Sequence, residues 1–277
     1  MTQAREPGAL AAPVWTGALG ERAGRALLGL AGLLTLALAM EVIPRLGVVS
    51  TDYLPPTSEI GAALANEFGR ADFWEALRNT VRTWMTGLGI ALAAGVVLGV
   101  VIGAMPFLRA ATASTIEFLR PIPSVALIPL AVILFQTQRG ATLLLVVYAS
   151  FWQVLVQVLH GVVDVDPVAR ETALSYRLNR WARIRYLVWP TALPYAVTGI
   201  RLAVSVALIL TVTGELVIGT PGLGQRLLVA QTSNAVPTMY ALVLVTGLMG
   251  VIANLLTRSA ERWVLAWHPS VRREVAV

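Results

Sequence analysis

The sequence contains no cysteine, no lysine and only two histidines in 277 residues. Without cysteine the chain has no disulfide, no thiolate nucleophile and no Cys-based metal site. His160 and His268 lie far apart, which argues against a histidine metal cluster or a Ser-His-Asp triad. Only 13% of the residues are charged, against about 25% in an ordinary soluble domain. We therefore expect no catalytic residue, no metal and no cofactor in this chain.

Apolar residues make up 57% of the chain, and the mean hydropathy is +0.73. A soluble globule of this size cannot bury so much apolar surface, so lipid must be the solvent for most of the chain. The composition excludes a soluble enzyme, a disordered chain and a secreted disulfide scaffold. The net charge of +6 would suggest nucleic acid in a soluble protein. Here the arginines flank apolar runs, which indicates orientation in a membrane and no nucleic-acid partner.

Six runs are long and apolar enough to be membrane spans, since a spanning helix needs about 20 mainly apolar residues. The third run is shorter than the others and is interrupted by proline. Residues 52–82 mix proline, apolar and acidic residues, which predicts an amphipathic helix on the outer membrane surface. The predicted spans are 26–46, 84–105, 121–138, 140–163, 194–218 and 238–257.

The distribution of arginine favours cytoplasmic termini. Six spans put both termini on one side, and cytoplasmic loops are enriched in basic residues. With the termini inside, fourteen arginines, including Arg109 and Arg120, fall in inside segments and six fall outside. Alternatively, Ala37-Leu38-Ala39 is a signal-peptide cleavage site, which would leave five spans. The predicted regions are cytoplasmic tails at 1–25 and 258–277 and a membrane domain at 26–257.

Small residues recur at every fourth position of the second predicted span. This spacing lets two helix backbones approach closely in lipid. We interpret the stripe as internal packing, with a pore-lining role as the alternative. Its members are Gly87, Ala91, Gly95, Gly99 and Gly103.

Polar side chains within the spans are candidates for a substrate pathway, because ionisable groups in lipid are costly unless paired or hydrated. Gln153 and Gln157 are four residues apart on one helix face, where they would bind substrate or bridge to the next span. Arg201 lies near the cytoplasmic end of the fifth span, and snorkelling to the headgroups is its alternative role. Glu215, near the outer end, would line an outer gate or pair with Arg226.

A basic insert at residues 164–190 separates the fourth and fifth spans. Asp166 and Pro167 give a helix start, with an acceptor at the N-cap and proline at the first helical position. Leu174 and Trp181 fall on one helical face, and arginines occupy the rest. The pattern predicts a short amphipathic, basic helix pair. It would either lie on anionic lipid or enter the groove of a cytoplasmic partner.

The same insert resembles the EAA motif of binding-protein-dependent ABC importer permeases, which reads E-A-A, three residues, G, nine residues, I, one residue, L-P. The spacing matches throughout, and Glu171, Ala173 and Pro190 match by identity. Three positions depart from the motif: Thr172 for Ala, Arg177 for Gly and Trp189 for Leu. The family's glycine permits a tight turn between two short helices. Arg177 would instead be compatible with a continued helix, so both geometries stay open.

What the resemblance implies is a homodimeric permease in a bacterial inner membrane. Its fold would be all-α, with six transmembrane helices in the type I ABC importer arrangement and a cytoplasmic coupling helix between helices four and five. Two cytoplasmic ATPase subunits and an extracytoplasmic binding protein would be its partners. The ATPase-coupling residues would be Glu171, Thr172, Ala173, Tyr176, Arg177, Leu178 and Pro190. Without lysine the chain has no Walker A sequence, so another chain must hydrolyse ATP.

Further runs resemble the nitrate, sulfonate and taurine subgroup of these permeases: Leu119–Pro129, Gly161–Pro167 and Trp267–Pro269. The subgroup implies a small anion as the solute, although related permeases carry pyrimidine or vitamin precursors. The rival class is an ion-coupled secondary transporter. It would need intramembrane carboxylates in paired, broken helices, and only Glu41 and Glu215 are available.

Overall fold

The computed structural model describes residues 15–267, and all regular structure in that range is helical. The chain forms two compact units, one up to Ala62 and one from Ala63. A 3-10 turn, Ser124–Leu127, precedes α5, and a π turn, Ile184–Val188, precedes α9. The α-helices are α1 Trp15–Arg45, α2 Thr57–Phe68, α3 Ala71–Ala104, α4 Pro106–Leu119, α5 Ile128–Leu134, α6 Gln138–Val163, α7 Pro167–Ser175, α8 Arg180–Arg183, α9 Trp189–Ile218, α10 Leu223–Thr232 and α11 Val236–Val264.

Five helical segments of the described chain are long and apolar enough to cross a bilayer, and they contain α1, α3, α6, α9 and α11. Helix α4 and the segment Ser124–Leu134 form a sixth span if counted together, although they are bent by 85°. Pro121 and Pro123 lie in the bend, where each removes a backbone donor and interrupts the helix. The predicted all-α membrane fold is confirmed, with six spans when the bent pair is counted as one. That third span is broken and runs from 106 to 134, whereas the sequence predicted 121–138.

Helix α3 begins at Ala71, well before the predicted residue 84. The helix predicted within 52–82 is therefore limited to α2, and residues 71–82 are the first turns of α3. The 34 residues of α3 rise about 1.5 Å each, so the helix is about 51 Å long. It is therefore longer than the hydrocarbon core of a bilayer, which is about 30 Å thick. Charged residues such as Asp72 and Glu75 are accommodated because the helix can continue beyond the lipid.

In the first unit, the C-terminal end of α1 is tied to the start of α2. Glu41 pairs with Arg45 at 2.6 Å and accepts a hydrogen bond from the Ser58 amide at 2.9 Å. The Thr57 hydroxyl donates to the Ala37 carbonyl at 2.9 Å. The leucines from Leu27 to Leu38 are exposed within the single chain, as expected for a helix that faces lipid.

In the second unit, α6 is the central helix and packs on both α3 and α9. The small-residue stripe of α3 faces valines of α6, and a Cβ added at Gly95 would lie 2.8 Å from the Val154 Cβ. On the opposite side, glycines of α9 meet α6, and a Cβ at Gly214 would lie 2.6 Å from a Thr142 side-chain atom. The packing interpretation of the stripe is confirmed. The glycines of α3 that face valines are Gly87, Gly95, Gly99 and Gly103.

We predict that Gly95→Ala lowers the stability of the purified protein by about 1–3 kcal/mol, the usual cost of overpacking. The added methyl cannot fit beside Val154 unless α3 and α6 move apart. Gly89→Ala is the matched control, because a Cβ there meets nothing within 4 Å. Thermal unfolding in detergent measures both variants. Equal melting temperatures for the two would contradict close α3–α6 contact.

Candidate functional site

The basic insert between α6 and α9 begins with a well-capped helix. The Asp166 carboxylate accepts hydrogen bonds from the Val168 amide at 2.7 Å and the Ala169 amide at 3.4 Å. These bonds satisfy two of the donors that a helix start leaves free. Pro167 occupies the first helical position of α7, as the sequence predicts.

Helix α7 ends in a tight left-handed turn at Arg177, which has φ of 53°. The Leu178 amide donates to the Ala173 carbonyl at 3.0 Å, and the Arg177 amide donates to the Leu174 carbonyl at 2.9 Å. These two bonds define a Schellman motif, in which glycine normally takes the left-handed position. The continued helix that an arginine would favour is therefore not what forms. The turn of the EAA motif is kept without its glycine.

Beyond the turn, one continuous helical run leads into the bundle. Asn179 caps α8 by accepting from the Ala182 amide at 2.7 Å. The π turn Ile184–Val188 then joins α8 directly to α9. Helix α9 begins at Trp189, so Pro190 lies in the first turn of the span that follows the insert. A wider π turn immediately before Pro190 accommodates a residue that lacks an amide donor.

The predicted coupling residues lie together on the surface of this insert, with two exceptions. Ala173 is buried, and Pro190 is half-buried at the start of α9. Tyr176 and Trp181 are 78% and 72% exposed, which makes the surface apolar as well as basic. The exposed predicted residues are Glu171, Thr172, Tyr176, Arg177 and Leu178.

A cavity of about 700 Å³ adjoins the insert where α3 meets α4. Apolar side chains such as Phe107 and Leu187 form much of its wall. The charged groups that line it are Arg170, Arg180 and Arg183. Basic charge therefore continues from the exposed helix pair into the adjacent end of the bundle.

Glu215 lies near the C-terminal end of α9, is fully buried, and holds the following loop in place. Its Oε2 accepts from the Thr80 hydroxyl at 2.9 Å and from the Gly224 amide at 2.9 Å. Its Oε1 has no hydrogen-bond partner among the described residues. A Cβ at Gly222 would lie 2.2 Å from the Glu215 carboxyl carbon. Glycine is required there because the loop passes directly over the carboxylate.

Arg226 does not pair with Glu215, so that alternative is wrong. Its guanidinium instead forms an ion pair with Glu67 and another with Asp72 at 2.8 Å. Arg70 joins the cluster through Asp72 at 2.9 Å, and this bond raises the pKa of Arg70. The cluster connects α10 with the end of α2 and the start of α3.

The other predicted pathway residues separate in space. Arg201 pairs with Glu261 of α11 at 3.5 Å. The Gln157 side chain faces α9, because a Cβ at Gly199 would lie 3.0 Å from the Gln157 Cβ. Gln153 lines a cavity of about 540 Å³ between α4 and α6. The structure therefore does not bring Gln153, Gln157, Arg201 and Glu215 into one site.

Comparison with known proteins identifies the chain. A family model described as binding-protein-dependent transport system inner membrane component matches residues 95–266. The chain belongs to this family. It is therefore the inner-membrane component of a binding-protein-dependent transport system.

Two curated relatives and one solved structure of these permeases are informative. The chain is 29% identical over 246 residues to the taurine transport system permease protein TauC of Escherichia coli, covering 86% of this chain and 90% of TauC. It is 26% identical over 194 residues to the bicarbonate transport system permease protein CmpB of Synechococcus elongatus, covering 70% and 69%. A crystal structure of an amino acid ABC transporter with histidines superposes with a TM-score of 0.59 at 18% identity, covering 69% and 93%.

These likenesses confirm the nitrate, sulfonate and taurine subgroup and the type I ABC importer permease fold. They favour an importer permease over the ion-coupled secondary transporter. The matched family region includes the EAA insert, with its Schellman turn, and the α4–α6 cavity.

Two features of this permease escaped the sequence analysis. The contact between Thr80 and Glu215 joins residues 135 positions apart, and no local pattern signals it. Arg109 and Arg120 were assigned to an inside loop, yet both line the α4–α6 cavity, as Gln153 does. The prolines at 121 and 123 were the available signal, because a broken span need not keep its charges at the membrane surface.

We predict that Arg177→Gly stabilises the permease by up to about 1 kcal/mol. The left-handed conformation costs a non-glycine residue about 1–2 kcal/mol, and the greater chain entropy of glycine offsets part of that gain. Arg180→Gly is the control, because Arg180 is helical and glycine there costs about 1 kcal/mol. Melting temperatures in detergent should move in opposite directions. A lower melting temperature for Arg177→Gly would contradict the turn.

Proposed function

We propose that this permease imports a small oxo-anion, such as a sulfonate or bicarbonate, that a binding protein delivers from outside. Two copies would form a homodimer, and two cytoplasmic ATPase subunits would bind the exposed insert and hydrolyse ATP. The observation that carries this proposal is the capped, exposed helix α7 with its Schellman turn. The identities of TauC and CmpB support the solute class.

The surface of the insert carries exposed apolar side chains, which favour contact with a protein partner over exposure to water. Val168, Tyr176 and Trp181 are each at least 70% exposed, and such side chains favour the groove of a partner. Glu171 is exposed and makes no ion pair within the described chain. A partner with a complementary basic group would satisfy it.

The geometry of the insert supports a rigid lever. Two hydrogen bonds at 2.9 and 3.0 Å fix the turn between α7 and α8. From Arg180 to Ile218 the chain is helical without interruption. A displacement of α7 by the ATPases would therefore pass into α9, and alternate access to a pathway between the two copies would follow.

The pathway that we propose uses Gln153, because its side chain lines a cavity. Gln157, Arg201 and Glu215 make structural contacts instead: Gln157 packs on α9, Arg201 pairs with Glu261, and Glu215 supports the loop at Gly222. These contacts all lie within one copy of the chain, so the three residues stay candidates for a pathway between two copies. Glu215 holds α3 and the loop at Gly224 together at the end of the bundle away from the insert.

We predict that Glu171→Lys reduces co-purification of a Walker-A ATPase and reduces solute uptake at least tenfold, because the change reverses a charge at the proposed contact. Glu75→Lys is the matched control. Glu75 is exposed near the N-terminal end of α3, and the insert lies near the C-terminal end of that helix. ATPase activity is assayed on permease purified in mild detergent. Normal ATPase recovery and uptake in Glu171→Lys would reject the lever. Uptake that follows a proton or sodium gradient would reject the importer.

The orientation that we propose places both termini and the insert in the cytoplasm. The chain has no native cysteine, so single cysteines can report each side. Ser233→Cys, after α10, should react with a membrane-impermeant maleimide in intact cells, and Ser175→Cys, at the end of α7, should react only in inverted vesicles stripped of ATPase. The reverse labelling pattern would place the termini outside.

A further inference from the structure

Arg120 lies at an unusual depth for an unpaired arginine. The Tyr148 hydroxyl donates to the carbonyl of the preceding residue, Leu119, at 2.6 Å. Tyr148 is about 15 Å from the N-terminal end of α6 and about 22 Å from its C-terminal end, using 1.5 Å per residue. Because α6 spans the membrane, the end of α4 reaches the middle of the bundle rather than the membrane surface.

The cavity between α4 and α6 carries an excess of positive charge. Arg109 and Arg120 line it from the side of α4, and Gln153 and His160 line it from α6. Glu117 is the only carboxylate in the lining. Neither arginine forms an ion pair with it, or with any other carboxylate, in the described residues 15–267.

An arginine at this depth needs an explanation, because a charge inside a bilayer is costly unless it faces a hydrated cavity or a counter-ion. Two other charged groups within the spans have partners in the chain: Arg201 pairs with Glu261, and one carboxylate oxygen of Glu215 accepts from Thr80 and Gly224. Arg120 has a cavity of about 540 Å³ and no internal counter-ion among the described residues. The missing counter-ion is therefore expected to come from outside the chain.

We propose that Arg120, with the Gln153 amide beside it, forms an anion-contacting subsite in the translocation pathway and selects oxo-anions during passage. This inference rests on the proposed importer function and specifies which residues contact its solute. A guanidinium presents a planar set of donors that matches the oxygens of a sulfonate or carbonate group. Gln153 adds amide donors for a further oxygen. Arg120 is exposed to the cavity, so an anion that binds its guanidinium can also dissociate from it.

The first test exploits the absence of cysteine. Gln153→Cys is introduced into the full-length permease in proteoliposomes. Its reaction rates are compared for a negatively charged sulfonatoethyl and a positively charged trimethylammonium methanethiosulfonate. Each rate is normalised to that of a small free thiol in solution. We expect at least a tenfold preference for the anionic reagent, because a charged cleft concentrates the opposite charge.

The decisive comparison adds a second substitution to Gln153→Cys. Arg120→Gln should bring the two normalised rates to within about twofold, whereas Arg120→Lys should keep most of the anion preference. Arg258→Gln, at an exposed arginine of α11 outside the cavity, should keep all of it. Equal rates while Arg120 is present, no labelling by either reagent, or a preference that survives Arg120→Gln would each overturn the proposal.

The second test measures uptake of labelled taurine by cells that express the complete transporter with native Gln153. Arg120→Gln should lower uptake at least tenfold, and Arg120→Lys should restore part of it. Unchanged uptake in Arg120→Gln would overturn the assignment. The labelling experiment needs neither ATPase nor binding protein, so it still judges the subsite if the importer function itself fails.

Discussion

Close backbone contact between helices is the interaction on which the second unit of this permease depends. In lipid, apolar side chains gain little by leaving the acyl chains for another helix, so association relies on dense van der Waals packing. The valines of α6 fill the spaces left by glycines of α3, and Thr142 fills the space at Gly214 of α9. Helix α6 thereby fixes the positions of both neighbours in the second unit.

Close helix packing also distinguishes the tightly packed helices α3, α6 and α9 from helix α4, which stays accessible. Helix α4 contributes no buried residue within the single chain, while α3, α6 and α9 each bury many. The cavity therefore lies beside α4, where close packing ends. The polar contact of Glu215 with Thr80 and Gly224 lies inside the core and closes the end of the bundle away from the insert.

Much of this architecture follows from local sequence, and the remainder depends on distant contacts. Hydropathy located the spans because lipid requires long apolar helices, and Asp166 with Pro167 marked the start of α7 because capping is a local interaction. The start of α3 was predicted too late in the chain. The charged residues before residue 84 do not end the helix, because a helix can continue with charged side chains where it extends into water. The turn at Arg177 was left open because local propensity disfavours a left-handed arginine, whereas the Ala173 and Leu174 carbonyls stabilise it.

The broken third span gives a physical reason for the position of Arg120 beside the cavity. A continuous helix would have carried Arg120 either to the surface or into lipid, whereas the prolines at 121 and 123 turn the chain at that level and leave the guanidinium beside α6. Transport requires contacts that attract a solute yet release it. In the proposed subsite, a single exposed guanidinium and one amide would satisfy this requirement better than a closed cage of charges. High-affinity selection would then belong to the binding protein, and the permease would need only to favour the correct charge.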